Sequence, residues 1–307
     1  MKKLVFDIGG TAIKYAIMNN DGEILEKGEI PTPRDSQETF LNVLADIALP
    51  LMEEIDGIAM SIPGNVDSAT GFVHTPGALK YNRETPVAPR LQALIAAKSG
   101  KEIPVTLEND GKAAVLAESW KGNLQGVDDG AVIILGTGIG GGILLNGELV
   151  KGRDFFAGEF SFLETDFGSE NPASLLAMNS STSALVHGVE AALGNERGSM
   201  NGFAVFDELK AENPKAWEVF DQISTNIATQ IYNLVCTLNP QRVLIGGGIS
   251  KQPLVLENIR KKYELKRDNL KNHGLLIPDV EIDTTRFFND SNLIGALYSH
   301  LLQNPAE

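Results

Sequence analysis

The chain has 307 residues, of which 43% are hydrophobic and 21% charged, enough apolar material for more than one core and too much for a disordered chain. Twenty-six Lys and Arg stand against 40 Asp and Glu, a formal charge of −14 that disfavours a general nucleic-acid-binding surface. One cysteine, Cys236, rules out an intramolecular disulfide and a multi-cysteine zinc site, and is expected as a buried packing thiol. Met1-Lys2-Lys3 runs straight into a strand without a signal-peptide core, and no apolar run is long enough to span a membrane, so a cytoplasmic protein without a membrane partner is expected.

In chain order, Val5 to Ile8 and Ile13 to Met18 read as a hairpin around Gly9-Gly10-Thr11, and Asn20-Asp21-Gly22 turns the chain back through Ile24 to Ile30. Residues 37–48 place Phe40, Val43, Leu44 and Ile47 on one helical face. Ile58 to Ile62 reads as a buried strand ended by Pro63-Gly64. Val105 to Leu107 is a strand handing over at Asn109-Asp110 to a helix that runs to about Trp120. The opening pattern then returns. Val132 to Leu135 leads into Gly136–Gly142, where five glycines fall within seven residues, and Ile143 to Leu145 turns at Asn146-Gly147 into Glu148 to Val150. A helix from Pro214 to Leu238, a strand from Arg242 to Ile245 ending in Gly246-Gly247-Gly248, a helix near 254–264, a strand Val280 to Ile282 and a helix from Asn292 complete the chain. Strands alternating with helices argue for α/β sheets. The repeated opening reads as a diverged internal duplication, with the change of lobe near residue 109.

Three strand-to-glycine turns in one chain suggest phosphate nests, since glycine lets backbone N–H groups approach an anion and tolerates positive φ. Tight hairpin turns are the simpler alternative. Asp7, between an apolar strand and the first turn, suits a carboxylate facing Mg²⁺ and phosphate, or else a turn cap. Thr11 offers a hydroxyl to a phosphate oxygen. Asp110 is either a helix N-cap or the acceptor of a proton from an attacking hydroxyl that Asn109 holds.

These residues resemble the ROK family (repressors, open reading frames and sugar kinases), within the superfamily of sugar kinases, heat-shock chaperones and actin. The resemblance spans nearly the whole chain. It implies an α/β, two-lobed ribonuclease H-like or actin-like ATPase fold with duplicated domains: residues 1–108 plus 290–307 as one lobe, 109–289 as the other, and the active site in the cleft between them. It makes Asp7, Gly9, Gly10 and Thr11 the first nucleotide-phosphate loop; Gly136, Thr137, Gly138 and Gly140 belong to the second, and Gly246, Gly247 and Gly248 to the adenosine-side loop. Pro63-Gly64-Asn65-Val66-Asp67 with Thr75-Pro76-Gly77 matches the sugar-binding segment, so Gly64, Gly77, Asn109, Asp110 and Glu159 become the sugar-binding residues and Asp110 the catalytic base. ATP and Mg²⁺ are the implied cofactors and a homodimer the implied assembly.

The departures point to the substrate. Phe162 stands where the family's His binds sugar and zinc, and 163–185 contains no Cys, so no zinc is expected and Phe160, Phe162 and Phe167 are expected to hold the loop by packing. A second sugar-binding Glu falls near Ala177 in an ungapped match. Both missing groups serve the C1/C2 side of glucose, which suits a sugar whose anomeric oxygen is substituted. The pattern is similar to that of bacterial β-glucoside kinases, acting on the 6-hydroxyl of a hexose or of a non-reducing glucosyl unit. Glucokinase and N-acetylmannosamine kinase are the alternatives. A sugar-sensing repressor is disfavoured, because Asp7 lies too near Met1 to leave room for a helix-turn-helix.

Overall fold

The computed structural model describes residues 2–305, and its chain forms two compact units. One comprises the described residues up to Gln125, the short segment Lys151–Ala157 and the chain from Asp290 on; the other comprises Gly126–Val150 and Gly158–Asn289.

The first unit is built on a five-stranded sheet in the order β3-β2-β1-β4-β7, from β1 (Lys2–Ile8), β2 (Ala12–Asn19), β3 (Ile24–Pro31), β4 (Ile55–Ile62) and β7 (Val105–Asn109). A small hairpin, β5 (Asn65–Asp67) and β6 (Phe72–Thr75), lies outside that sheet. β1 to β3 are antiparallel neighbours, whereas β1, β4 and β7 run parallel. The parallel strands are buried almost throughout, which is why they read as continuous apolar runs. Leu4, Phe6, Ile8, Ile58, Met60 and Ile62 share one core with Phe40 and Leu44 of α1 (Gln37–Ala48) and Leu91 and Ile95 of α2 (Val87–Ser99). Strand alternation turns Val5, Asp7, Ala59 and Ser61 to the opposite face. There α9 (Ser291–Gln303) packs on the sheet and crosses α3 (Asp110–Lys121). The crossing is close: a Cβ on Gly295 would lie 1.7 Å from the Ala113 carbonyl oxygen, and the Trp120 and Tyr298 rings stack at 4.9 Å. Because α3 packs there, this unit continues past the expected change near residue 109, to Gln125.

The second unit repeats the plan. β8 (Gly130–Leu135), β9 (Ile139–Leu145), β10 (Glu148–Val150), β11 (Arg242–Gly246) and β12 (Glu281–Thr284) form a sheet in the order β10-β9-β8-β11-β12, again an antiparallel meander beside parallel strands. Helices α4 (Leu176–Ser180), α5 (Thr182–Leu193), α6 (Gly202–Lys210), α7 (Pro214–Leu238) and α8 (Pro253–Asn272) belong to this unit. Phe220, Ile227 and Ile231 of α7 share its core with Ile133, Leu135 and Ile245 of the sheet. Two expectations need correction. α8 runs to Asn272 rather than to 264, its outer turns being charged and therefore weak in apolar period. Cys236 is exposed on α7, not packed inside: α7 buries one stripe, with Leu234 and Val235 in the core, and Cys236 falls off that stripe.

His300 of α9 is fully buried, its Nδ1 paired with Thr106 Oγ1 at 2.8 Å and its Nε2 facing Gly57 without a hydrogen-bond partner among the described residues. Burial pushes its pKa down to about 4, with the Lys3 ammonium acting in the same direction and Asp56 against it. The unfolded chain takes up this proton near pH 6.5 and the native state refuses it. Stability is therefore complete above pH 6.5 and falls as the pH drops towards 4, by about 3 kcal/mol from this group. Melting curves across that window should show a shallower pH slope for His300→Leu than for the natural protein; equal slopes would remove His300 as the cause.

Candidate active site

In the first unit, the C-terminal ends of three parallel strands align Asp7 with Ser61 and, one residue further along, Ile62 with Asn109. The open carboxyl end of such a sheet is where α/β folds place ligands. Asn109 is the N-cap of α3: its Oδ1 accepts the Lys112 N–H at 3.0 Å. Its Nδ2 donates to the Gly64 carbonyl at 2.9 Å and to Asp110 Oδ1 at 3.0 Å. Asp110 is therefore not the cap, the simpler reading of its position. It occupies the first helical turn, partly exposed, with Oδ1 also accepting the Gly111 N–H at 2.8 Å.

Gly64 has φ +109°, and a Cβ there would fall 1.9 Å from the Thr75 carbonyl oxygen, so no other residue fits. Gly77 lies against it, and a Cβ on Gly10 would meet Ala78 at 3.1 Å. The first glycine turn, the Pro63–Gly77 segment and the Asn109–Asp110 pair thus form one contiguous constellation. Asp7 is 9% exposed; Asn292 Nδ2 donates to its Oδ1 at 3.0 Å and Lys14 Nζ lies 3.7 Å from Oδ2. Burial holds its carboxyl above the ordinary range, against the opposing pull of Asn292 and Lys14.

The second unit assembles the other turns. Gly136-Thr137-Gly138 closes the β8–β9 hairpin, as Gly9-Gly10-Thr11 closes β1–β2. Contrary to the expectation of left-handed glycines, Gly9, Gly10, Gly136 and Gly138 do not take positive φ; what they offer is bare backbone. Gly247 is different, with φ +94° and a would-be Cβ 2.1 Å from the Leu135 carbonyl oxygen, which seats the Gly246–Gly248 turn against the start of the Gly136 turn. Glu159 opens the short 3₁₀ turn Phe160–Phe162 and is partly buried. Of the three aromatics expected to pack this loop, Phe160 is buried in the core of the second unit. Phe162 is 56% and Phe167 90% exposed. Ala177 sits on α4, which packs against the Phe160–Phe162 turn.

Sequence reasoning missed several supports. Ser161 Oγ accepts the Ile139 N–H at 3.0 Å and donates to the Ile139 carbonyl at 2.9 Å, pinning the second glycine turn. Thr182, at the start of α5, donates its N–H to the Gly136 carbonyl and its hydroxyl to the Leu135 carbonyl. Asn292 is separated from Asp7 by 285 positions, so only the fold could reveal it. Among the described residues no group of three or more His, Cys, Asp or Glu side chains could hold a metal ion.

A family model for the ROK family matches residues 4–301. The chain is 35% identical over 309 residues to a beta-glucoside kinase of Listeria innocua serovar 6a, an alignment covering 99% of this chain and 98% of that protein. A beta-glucoside kinase of Klebsiella pneumoniae is 32% identical over 300 residues, covering 97% and 95%. The solved structure of a ROK family protein from Streptococcus pneumoniae TIGR4 in complex with sucrose matches with a TM-score of 0.85 at 29% identity, covering 99% of each chain. The chain belongs to the ROK family. Its fold is the duplicated α/β fold of the ribonuclease H-like, actin-like ATPases.

Proposed function

We propose that this protein is an ATP- and Mg²⁺-dependent sugar kinase that phosphorylates the 6-hydroxyl of the non-reducing glucosyl unit of a β-glucoside. The observation that carries the reading is the Asn109–Asp110 pair, tied to Gly64 at the carboxyl end of the first sheet and contiguous with a glycine turn. Asn109, Gly64, Gly77 and Glu159 hold the sugar. Gly9 to Thr11, Gly136 to Gly140 and Gly246 to Gly248 present backbone to the nucleotide. Asp110 accepts the proton of the 6-hydroxyl as that oxygen bonds to the γ-phosphorus and the bond to the β,γ-bridging oxygen breaks, so sugar 6-phosphate and ADP leave. Phosphoryl transfer asks mainly for such positioning and one carboxylate to orient the nucleophile. Asp7 fits a cation: its carboxylate is buried beside a phosphate turn, and the Lys14 ammonium at 3.7 Å offsets that burial only in part. When bound, Mg²⁺ would supply positive charge against the charge developing on the phosphates. The reading takes no zinc, since Phe162 replaces the family's His and 163–185 lacks Cys. It places the enzyme in the cytoplasm as a homodimer, with no nucleic-acid or membrane partner.

The exposed Phe162 ring supports the β-glucoside over the free sugar. Losing a hydrogen bond to a charged group costs about 1.5–3 kcal/mol, so glucose should bind ~10–100-fold more weakly than it does to family members that keep the His and second Glu. A second ring covering Phe162 recovers that binding. In a coupled assay across glucose, N-acetylmannosamine, cellobiose, gentiobiose and aryl β-glucosides, kcat/KM should be higher for a β-glucoside than for glucose, and Phe162→His should narrow the ratio. Efficient turnover of glucose or N-acetylmannosamine with every β-glucoside inert would overturn the assignment.

Gly138→Val tests the nucleotide half. A Cβ at Gly138 would meet only Ser161 Oγ, at 3.2 Å, and φ there is not left-handed, so the fold should tolerate the change. A β-branched side chain nonetheless bars a phosphate from the backbone, and KM for ATP should rise by about tenfold or more at little cost in Tm. An unchanged KM would move the phosphates elsewhere.

A further inference from the structure

Beyond β10 the chain passes to the first unit for Lys151–Ala157 before it reaches Gly158-Glu159. This strap is fastened at three points. Lys151 Nζ lies 2.9 Å from Glu108 Oε2 and also donates to Ser68 Oγ. Asn65 Nδ2 donates to the Asp154 carbonyl at 3.4 Å. The Phe155 ring stacks on His74 with 5.6 Å between centroids and 14° between planes.

The Lys151 contact differs from the others in where it leads. The Glu108 side chain is 1% exposed, and its second oxygen, Oε1, accepts the backbone N–H of Asn109 at 2.9 Å. Ser299 Oγ of α9 lies 3.4 Å from Oε2. A carboxylate this buried keeps its geometry only while its charge is paired. Its cation therefore governs the backbone at Asn109, the residue whose side chain caps α3 and reaches both Gly64 and Asp110. The other ion pair in the strap, Arg153 with Asp154, is exposed and leads nowhere.

We propose that Lys151 is a positioning residue for phosphoryl transfer: through Glu108 it fixes the end of β7, and with it the direction in which Asp110 meets the sugar hydroxyl. The inference rests on the kinase reading above. The strap thereby also ties the chain leading into Glu159 to the strand end that carries the catalytic pair.

The test uses the full chain with ATP, Mg²⁺ and cellobiose. Lys151→Met should lower kcat by about 10–100-fold, the range typical of small misplacements of a reacting group, with KM for ATP within about threefold of the natural value. Lys151→Arg should restore most of kcat. The double variant Lys151→Met, Glu108→Gln should be no slower than the worse single one, because both remove the same link. Amide hydrogen exchange over residues 105–112 should quicken in Lys151→Met and not in Arg153→Met. Wild-type exchange in that segment, or a kcat within twofold of the natural enzyme, would overturn the proposal. So would equal losses in kcat and ATP binding that Arg does not rescue. Should Lys151→Met fail to fold, Lys151→Arg and Glu108→Gln carry the same comparison: normal exchange and normal kcat in Glu108→Gln would overturn it. Failure of the natural protein to phosphorylate any sugar sinks the kinase reading instead, while exchange still reports on the Lys151 tie.

Discussion

Asp110→Asn is expected to lose ~10²–10⁴ in kcat while sugar affinity stays within a few-fold, because the 6-hydroxyl loses its proton acceptor and keeps its other contacts. The geometry makes the variant a clean probe. Asn109 caps α3, not Asp110, so the helix start does not depend on the carboxylate. An Asn carbonyl at 110 can still accept from the Gly111 N–H and from Asn109 Nδ2, as Asp110 Oδ1 does. Tm should therefore move little. Single-turnover kinetics with equilibrium sugar binding separates the terms. A variant that keeps a tenth of the natural rate, with chemistry rate-limiting in both proteins, would show that Asp110 is not the base.

Asp7→Asn should separate function from stability most sharply. Burial raises the Asp7 pKa, the largest of its influences, while Asn292 and Lys14 pull it down. A folded pKa above the unfolded one means that stability from this group is full below pH ~3.9 and is lost as the pH rises through the folded value. At neutral pH the carboxylate is thus a net cost to the fold. Asn has nearly the same shape and can keep the Asn292 contact, so Tm at pH 7 to 8 should hold or rise. With the cation's carboxylate gone, kcat should fall by about 10²–10³, the usual loss for one preorganised electrostatic group, and the Mg²⁺ requirement should shift upward. A Tm several degrees lower with an unchanged Mg²⁺ dependence would return Asp7 to the role of a turn cap.

Much of the frame was legible because local chemistry and tertiary role agree. β1 and β8 are apolar runs that end in glycine, and both do open a hairpin at the head of a sheet. Residues 37–48 and 214–238 carry a 3.6-residue period, and α1 and α7 have those bounds. α2 was not legible: Pro86 and Pro89 stand at its start, and its buried stripe is short, Val87, Ala88, Leu91 and Ile95. The β5–β6 hairpin is too short to show an alternation. The three glycine turns were found for a partly wrong reason. Gly9, Gly10, Gly136 and Gly138 of the first two supply bare backbone rather than positive φ, whereas Gly64 and Gly247 do take positive φ and press against a carbonyl. α9 itself is legible as a helix from Asn292, but no pattern could reveal where it packs, bringing Asn292 to Asp7, Ser299 to Glu108 and a buried His300 to Thr106. Those pairings exist only because a helix more than 280 residues along the chain lies on the first sheet, and no periodicity encodes that.

The most direct measurement is the identity of the product. Natural protein incubated with ATP, Mg²⁺ and cellobiose should yield one equivalent of ADP per equivalent of a disaccharide monophosphate, and NMR should show phosphorus coupled to C6 of the non-reducing glucosyl unit. Phosphate on any other carbon, or ADP formed without a phosphorylated sugar, would contradict the assignment of Asp110 as the base that prepares the 6-hydroxyl of a β-glucoside.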